Sequence, residues 1–294
     1  MSISKLSELL KEAESGQYAV GYFEAWDMYS FEAVVEAAEE ENSPVVLGFG
    51  GTMMEQNWLE GFGIQPLGAY GRAIAEKIRV PAAFILNEVL DLRHIELGVT
   101  AGFNTVMLDS CHLPFTENVV ISREVVRLAK PHGIEVEAEF GRLPNYGESA
   151  QGTLTDAIKA AQFVEQTGVD FLAISIGNVH LQTDGESEID INRLINIRKA
   201  VHIPLVIHGG TGFPWDKVKE AISNGVSLFH FGTLMKKTFF EQINVTLSQI
   251  DNHKVDYQLV VGSRKTQDMF SSAKNELKKI IKRYMNIYGS SGKA

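Results

Sequence analysis

The sequence predicts a (β/α)8 TIM barrel, read as one domain over residues 1–294, and three observations predict it. Compact runs rich in β-branched and aromatic residues recur eight times. Amphipathic stretches of helical spacing lie between them, and no Pro-, Ser- or Gly-rich linker divides the chain. Strand alternating with helix implies a parallel sheet, and eight such units in about 250 residues have the size of this barrel. The runner-up, a doubly wound open sheet, lacks a Gly-x-Gly-x-x-Gly turn after its first strand.

The opening MSISKLSELLKEAESG has apolar residues at Ile3, Leu6, Leu9, Leu10 and Ala13, which is helical spacing broken by charge and not a signal peptide. The strand runs are YAVGYF (18–23), PVVLGF (44–49), PAAFIL (81–86) and NTVML (104–108), then IEVEAE (134–139), DFLAISI (170–176), PLVI (204–207) and SLFHF (227–231). Between them, SFEAVVEAAEEE is apolar at Phe31, Val34, Val35 and Ala38, and DAIKAAQFVEQTG ends on a glycine stop. A chain 45% hydrophobic and 22% charged has the composition of a soluble enzyme with ample core. The net charge of -10 argues against nucleic acid or an anionic membrane as partner, and no apolar stretch is long enough to span a bilayer. The single cysteine, Cys111, allows no internal disulfide and fits a reducing compartment, so a cytoplasmic location is expected.

Barrel active sites lie at the C-terminal ends of the strands. At the ends of the eight runs stand, in order, Glu24 with Asp27, Gly50-Gly51, Asn87-Glu88, Asp109, Glu139, Asn178 with His180, His208, and the His230-x-Gly232-Thr233 turn. His180 and His208 stand just beyond neighbouring runs, and two imidazoles with a carboxylate from Glu88, Asp109 or Glu139 suit Zn²⁺ or a related divalent ion. Hydrogen-bonded rim histidines holding no metal are the alternative. His230 lies inside its run and reads as a packed or hydrogen-bonded core residue; His202 and His253 read as surface. Gly209, Gly210 and Thr211 after the seventh run, with Gly232 and Thr233 after the eighth, occupy the loops where barrels bind phosphate through backbone N–H groups. Tight βα turns need glycine too, so the motif alone leaves both readings open.

The stretches EAAEEENSPVVL, GFNTVMLDSCHLPFTENV, GIEVEAEFG, TGVDFLAISIGNVH, IPLVIHGGTGFP and the closing GSSGKA resemble the class II, metal-dependent fructose-bisphosphate aldolase family, which includes tagatose-bisphosphate aldolases. The resemblance covers essentially the whole chain. It implies a zinc ion that polarises a ketose phosphate for aldol cleavage, and homodimers or tetramers. It also implies His180 and His208 as zinc ligands, Asp109 and Glu139 in the acidic group beside the metal, and phosphate on the loop of Gly209, Gly210 and Thr211.

The departures from that pattern gather on one rim. Where the family has Leu-Asp-His-Gly, this chain has Leu86-Asn87-Glu88-Val89. An amide moves no proton, so Asn87 cannot be the catalytic acid. Glu88 replaces the lost imidazole as an oxygen ligand, favouring a harder ion such as Mn²⁺, or else is the displaced acid–base. Asp184 stands in place of a phosphate-holding lysine, His230-Phe231-Gly232-Thr233 in place of Asn-x-Asp-Thr, Gly50 in place of a serine, and Glu24 and Asp27 in place of asparagines. Glu148 is the nearest candidate for the family's loop acid. The expected function is therefore an aldolase-type lyase acting on a sugar or sugar phosphate, its pocket altered by Glu24, Asp27 and Asp184, which disfavour a second phosphate. A non-catalytic sugar-binding relative and an epimerase using the same enediolate remain the alternatives.

Overall fold

In the computed structural model, which describes residues 3–148, 152–250 and 254–294, eight parallel strands close into a barrel in which β1 pairs with β8. The strands are β1 Val20–Phe23, β2 Val45–Gly50, β3 Ala82–Val89, β4 Thr105–Leu108, β5 Glu135–Phe140, β6 Phe171–Ile174, β7 Leu205–Ile207 and β8 Val226–Phe231. Each falls on one of the eight runs, and a helix comes after each along the chain, as the alternation requires. His202 is exposed, as expected, whereas His253 lies outside the described residues.

Two apolar layers result from the period-two alternation of side chains along each strand. The outward residues, among them Phe84, Leu86, Leu172 and Phe229, pack under the helices. The inward ones, including Val20, Tyr22, Val46, Ile85, Met107, Phe171, Val206 and Leu228, fill the barrel. The N-terminal helix Leu6–Gly16 presses Leu6, Leu9, Leu10 and Ala13 onto the same inner cluster and plugs the end opposite the strand C-termini. One end of the barrel is thus closed by apolar side chains, and polar residues on the inward face collect at the other.

Of the boundaries that differ from the sequence reading, two matter for that polar end. β3 runs on to Val89, so Asn87 and Glu88 belong to the strand itself. Its pairing with β4 shifts register between Leu86 and Val89, and Glu88 takes φ 48°. β6 stops at Ile174 because Asn178 turns back on it: its Oδ1 accepts from Ile176 N (2.8 Å), and its Nδ2 donates to Ile174 O (3.2 Å) and to His208 O (2.9 Å).

Phe84 is fully buried under the helices and stacks on Phe103, with ring centres 4.3 Å apart. Phe84→Ala is expected to lower stability by about 3–5 kcal/mol, read as a fall in the urea midpoint at unchanged slope.

Candidate active site

Towards the open end, the inward faces of β5, β7 and β8 carry titratable side chains in place of the apolar ones that fill the barrel below. His208 comes two residues after Val206, His230 comes two after Leu228, and Glu137 and Glu139 alternate along β5, so all four point into the barrel near its open end. His208 is the hub. Its Nε2 lies 2.8 Å from Glu137 Oε1 and its Nδ1 3.0 Å from Glu88 Oε1 and 3.8 Å from Glu139 Oε2. His180 Nε2 stands 3.6 Å from the same Glu88 oxygen. His230 stacks on His208 with ring centres 4.1 Å apart and meets Tyr22 at 4.6 Å with the rings tilted.

Glu88 reaches this cluster by a backbone device. Strict alternation would send residue 88 outward, since Leu86 packs in the outer layer and Asn87 comes after it. The register shift and the left-handed φ bring its carboxylate to the histidines instead, at a cost of about 1–3 kcal/mol of local strain. Neighbours pin the distorted segment: Gly51 N donates to Asn87 O (2.8 Å), Thr52 Oγ1 to Glu88 O, and Asp109 N to Val89 O (2.8 Å). Asn87 Nδ2 adds a bond to Glu88 Oε2 (3.2 Å).

One donor atom from each of Glu88, Glu139, His180 and His208 lies within 4.8 Å of every other. Two nitrogens and two carboxylate oxygens are a donor set for a divalent ion. Glu139 Oε1 is buried with no partner, so the set contains an acceptor whose desolvation is not offset by the protein. The residues present therefore fit such an ion. A second group, Glu137, His208 and His230, shares His208 and lies wholly buried. It supports the first in the way carboxylates orient metal-binding imidazoles: Glu137 occupies Nε2 and leaves Nδ1 to the open end.

The packing sets the charge states. Burial works against charge on His208, yet Glu88 and Glu137 on its two edges raise its pKa well above the ordinary histidine value. Burial also opposes ionisation of Glu88, but His208 and then His180 and His230 win and hold it well below the usual carboxylate range. Glu139 has burial and the charges of Asp109 and Glu88 against it, with only His208 and a bond from Cys111 helping, and is pushed up to about 8. His180 and His230 are lowered, chiefly by burial.

Above the cluster opens a cavity of about 270 Å³ whose wall includes Glu24, Asn87, Glu88, Asp109, His180 and His208. Gly209, Gly210, Thr211, His230, Gly232, Thr233 and Lys236 form the side nearest β7 and β8. Gly209 takes φ 70° and packs so close to Val179 O that no Cβ fits there. Among the described residues, the N–H groups of Gly210, Thr211 and Thr233 find no acceptor within the chain, and Thr233 opens the helix Thr233–Ser248. Free N–H groups at a helix start make an anion cradle. Thr211 Oγ1 ties the two loops together by accepting from Leu234 N (3.3 Å).

Three sequence-selected residues lie elsewhere. The Asp27 carboxylate is the N-cap of the helix Met28–Glu41, accepting from Ser30 N and Ser30 Oγ at 2.7 Å, and forms no part of the cavity wall. The side chain of Asp184 is 74% exposed and pairs with Lys237 Nζ at 3.2 Å. Glu148 also stands outside the wall, its Oε1 accepting from Asn145 Nδ2 (2.8 Å) and Oε2 lying 3.4 Å from Arg142. The joint repulsion expected from Glu24, Asp27 and Asp184 is corrected accordingly. One is a helix cap, another is neutralised by Lys237 at the surface, and only Glu24 enters the cavity, bonded to Lys236 Nζ at 2.5 Å. The sequence reading missed Glu137, Lys236 and Lys237. For Glu137 a signal was there: the alternating glutamates of IEVEAE in a strand closed into a barrel.

The family model for class II fructose-bisphosphate aldolase matches residues 4–293. The chain is 33% identical to a fructose-bisphosphate aldolase of Geobacillus stearothermophilus, covering 100% of this chain and 99% of that protein. It is 28% identical to a 6-phospho-5-dehydro-2-deoxy-D-gluconate aldolase of Halalkalibacterium halodurans, again over 100% and 99%. Among solved structures it is similar to the YdjI aldolase of Escherichia coli K12, at TM-score 0.82 and 27% identity with full coverage of both chains.

The charge states of the cluster generate a prediction. At pH 7 Glu139, at about 8, and the raised His208 both carry protons that a bound ion must displace. Groups protonated below their pKa oppose uptake, so affinity rises with pH, about tenfold per unit for each proton displaced, and the Glu139 share of that rise levels off above about pH 8. Titration calorimetry with Zn²⁺ or Mn²⁺ in buffers of different ionisation enthalpy is expected to show about two protons released per ion at pH 7. Uptake without proton release would show that the ion lies elsewhere.

Proposed function

The chain belongs to the class II fructose-bisphosphate aldolase family, and on that footing we propose that it is an aldehyde-lyase that cleaves or forms a C–C bond of a ketose phosphate with Glu88, Glu139, His180 and His208 as the ligands of a divalent ion. The observation that carries this reading is the four-donor cluster, of which Glu88, His180 and His208 line the cavity, beside free N–H groups able to receive a phosphate. When bound, such an ion supplies positive charge that draws electrons from the ketose carbonyl and the adjacent hydroxyl.

The chain's own residues do the rest. The N–H groups of Gly210, Thr211 and Thr233 hold the phosphate, which fixes the sugar's distance from the cluster. Glu88 is a ligand and not the base: His208 and His180 keep its carboxyl low, and a carboxylate so stabilised takes a proton poorly. Asn87 positions Glu88 through the hydrogen bond that its Nδ2 donates to Oε2. Asp109 lines the cavity, and its charge adds to burial in keeping the carboxyl of the ligand Glu139 raised, so it bears on how readily Glu139 enters the site. Proton transfer at carbon falls to Glu148, while the hydroxyl proton lost as the aldehyde forms passes to solvent in the cavity, since the Asn87 amide cannot accept it. Its loop is clamped to the site, with His180 N donating to Pro144 O (2.9 Å) and Tyr146 N to His180 O (2.8 Å). Asn145, which Glu148 grips, already lines the cavity.

Zinc as the resident ion and assembly into dimers or tetramers are part of the same proposal and are supported by the family likeness. The oxygen-for-nitrogen exchange at Glu88 supports Mn²⁺ as the competing ion. A cytoplasmic location is supported by the lone Cys111. No helix among the described residues is long and apolar enough to cross a membrane.

Metal analysis of the purified protein, then incubation with ketose mono- and bisphosphates while aldehyde release is measured, tests the reading. One ion per chain and aldehyde formation are expected; epimer without aldehyde, or no ion at millimolar Zn²⁺ and Mn²⁺, would refute it. His208→Ala is expected to abolish metal binding. Glu148→Gln is expected to keep the ion and to lower kcat by about 10²–10⁴ with little change in KM, the loss typical of a missing acid–base group.

A further inference from the structure

Glu24 is the first residue beyond β1, and no step of the lyase chemistry above uses it. Its side chain is only 17% exposed and forms part of the cavity wall. Oε1 accepts from Lys236 Nζ at 2.5 Å, and that ammonium lies 5.9 Å from the centre of the Trp26 ring. Oε2 has no donor among the described residues. The seat of this carboxylate is made by two glycines. A Cβ at Gly50 would stand 2.9 Å from Glu24 Oε2, and one at Gly232 would stand 3.2 Å from the same atom. Neither glycine uses a positive φ, so backbone freedom does not explain them; room for the carboxylate does.

We infer that Glu24 is the specificity-determining residue of the pocket, accepting a hydrogen bond from a neutral hydroxyl of the substrate and rejecting a second phosphate, so that the ligand class is a ketose carrying one phosphate. The inference rests on the lyase reading and narrows it. A carboxylate oxygen without a donor is completed by a hydroxyl, which brings a proton and no charge. A phosphate dianion brings acceptors and negative charge to an acceptor that is already negative. Lys236 contributes a single positive charge, and Glu24 already engages it. The N–H cradle beside Gly232 can take one phosphate because that charge offsets Glu24 there. A second phosphate on the Glu24 side has no cation of its own among the residues of the cavity wall.

Fructose 1-phosphate and fructose 1,6-bisphosphate test this, since they differ only by hydroxyl or phosphate at one end. Calorimetric titration of each into the metal-loaded protein is expected to show the monophosphate bound tighter by about tenfold or more. Glu24→Gln keeps the shape and removes the charge, and is expected to bring the two affinities within about twofold, chiefly by tightening the bisphosphate. Gly50→Ala displaces the carboxylate and is expected to move the ratio in the same direction with metal content unchanged. Equal affinities in the unaltered protein, a ratio unmoved by Glu24→Gln, or binding of neither ketose would overturn the inference. Failure of the lyase reading looks different: neither ketose yields aldehyde while the binding preference and its loss in Glu24→Gln both persist.

Discussion

The centre of this molecule is one imidazole held between two carboxylates. His208 presents Nε2 to Glu137, inside the barrel, and Nδ1 to Glu88, at its mouth. Each carboxylate alone would be costly to bury; each is stabilised because the ring between them carries a proton. The arrangement also sets direction. Glu137 is closed off beneath the ring and accepts from Nε2, so the exchangeable position is Nδ1, on the side where His180 and Glu139 converge. On the proposed function, the proton that Nδ1 shares with Glu88 stands where a cation would be held. The ion pair with Glu88 and the affinity for such a cation would then be coupled through the same nitrogen.

That coupling explains why the site tolerates a carboxylate where the family pattern has an imidazole. A glutamate in place of histidine adds negative charge, and in an apolar setting this would raise its own pKa until it became neutral. Here His208 and His180 face it directly and keep it ionised. Glu139 goes the other way, pushed up to about 8 chiefly by burial and then by the charges of Asp109 and Glu88, so the two carboxylates of one cluster differ in protonation at neutral pH. Cys111, 3.3 Å from Asp109 Oδ1, is raised as well, by burial and then by Glu139 and Asp109, and stays a thiol. It offers no thiolate to the neighbouring cluster.

How much of this was legible in the sequence depends on the kind of signal. The eight strands were readable because apolar runs and glycine stops are local, and all eight were placed to within a few residues. That His180, His208 and Glu139 share one end of the barrel was readable because position at a strand end is also local. Asp27 and Asp184 were misjudged because their charges were counted without their partners. Ser30 lies close in sequence to Asp27 and makes the capping box, but Lys237 meets Asp184 from 53 positions further along the chain. Lys236 and Glu24 are likewise remote in sequence and adjacent across the β8–β1 seam. Net charge at a rim is a property of pairs, and pairing is long-range.

Glu88 shows the same limit on a finer scale. Alternation along β3 puts Ile85 inside and Leu86 outside, and continues with Asn87 inside. By that rule Glu88 belongs under the helices, where an ionised carboxylate has no partner. The fold breaks the rule at this residue: the ladder to β4 slips and the backbone turns to φ 48°. A residue other than glycine held at such a φ is strained, and the strain persists only because the bonds from Gly51, Thr52 and Asp109 fix the backbone on both sides. The interactions that the turn makes available to Glu88, with His208 and His180, are the compensation. Periodicity describes how a strand fills a core; at the mouth of this barrel the charge of two imidazoles decides which way the chain faces.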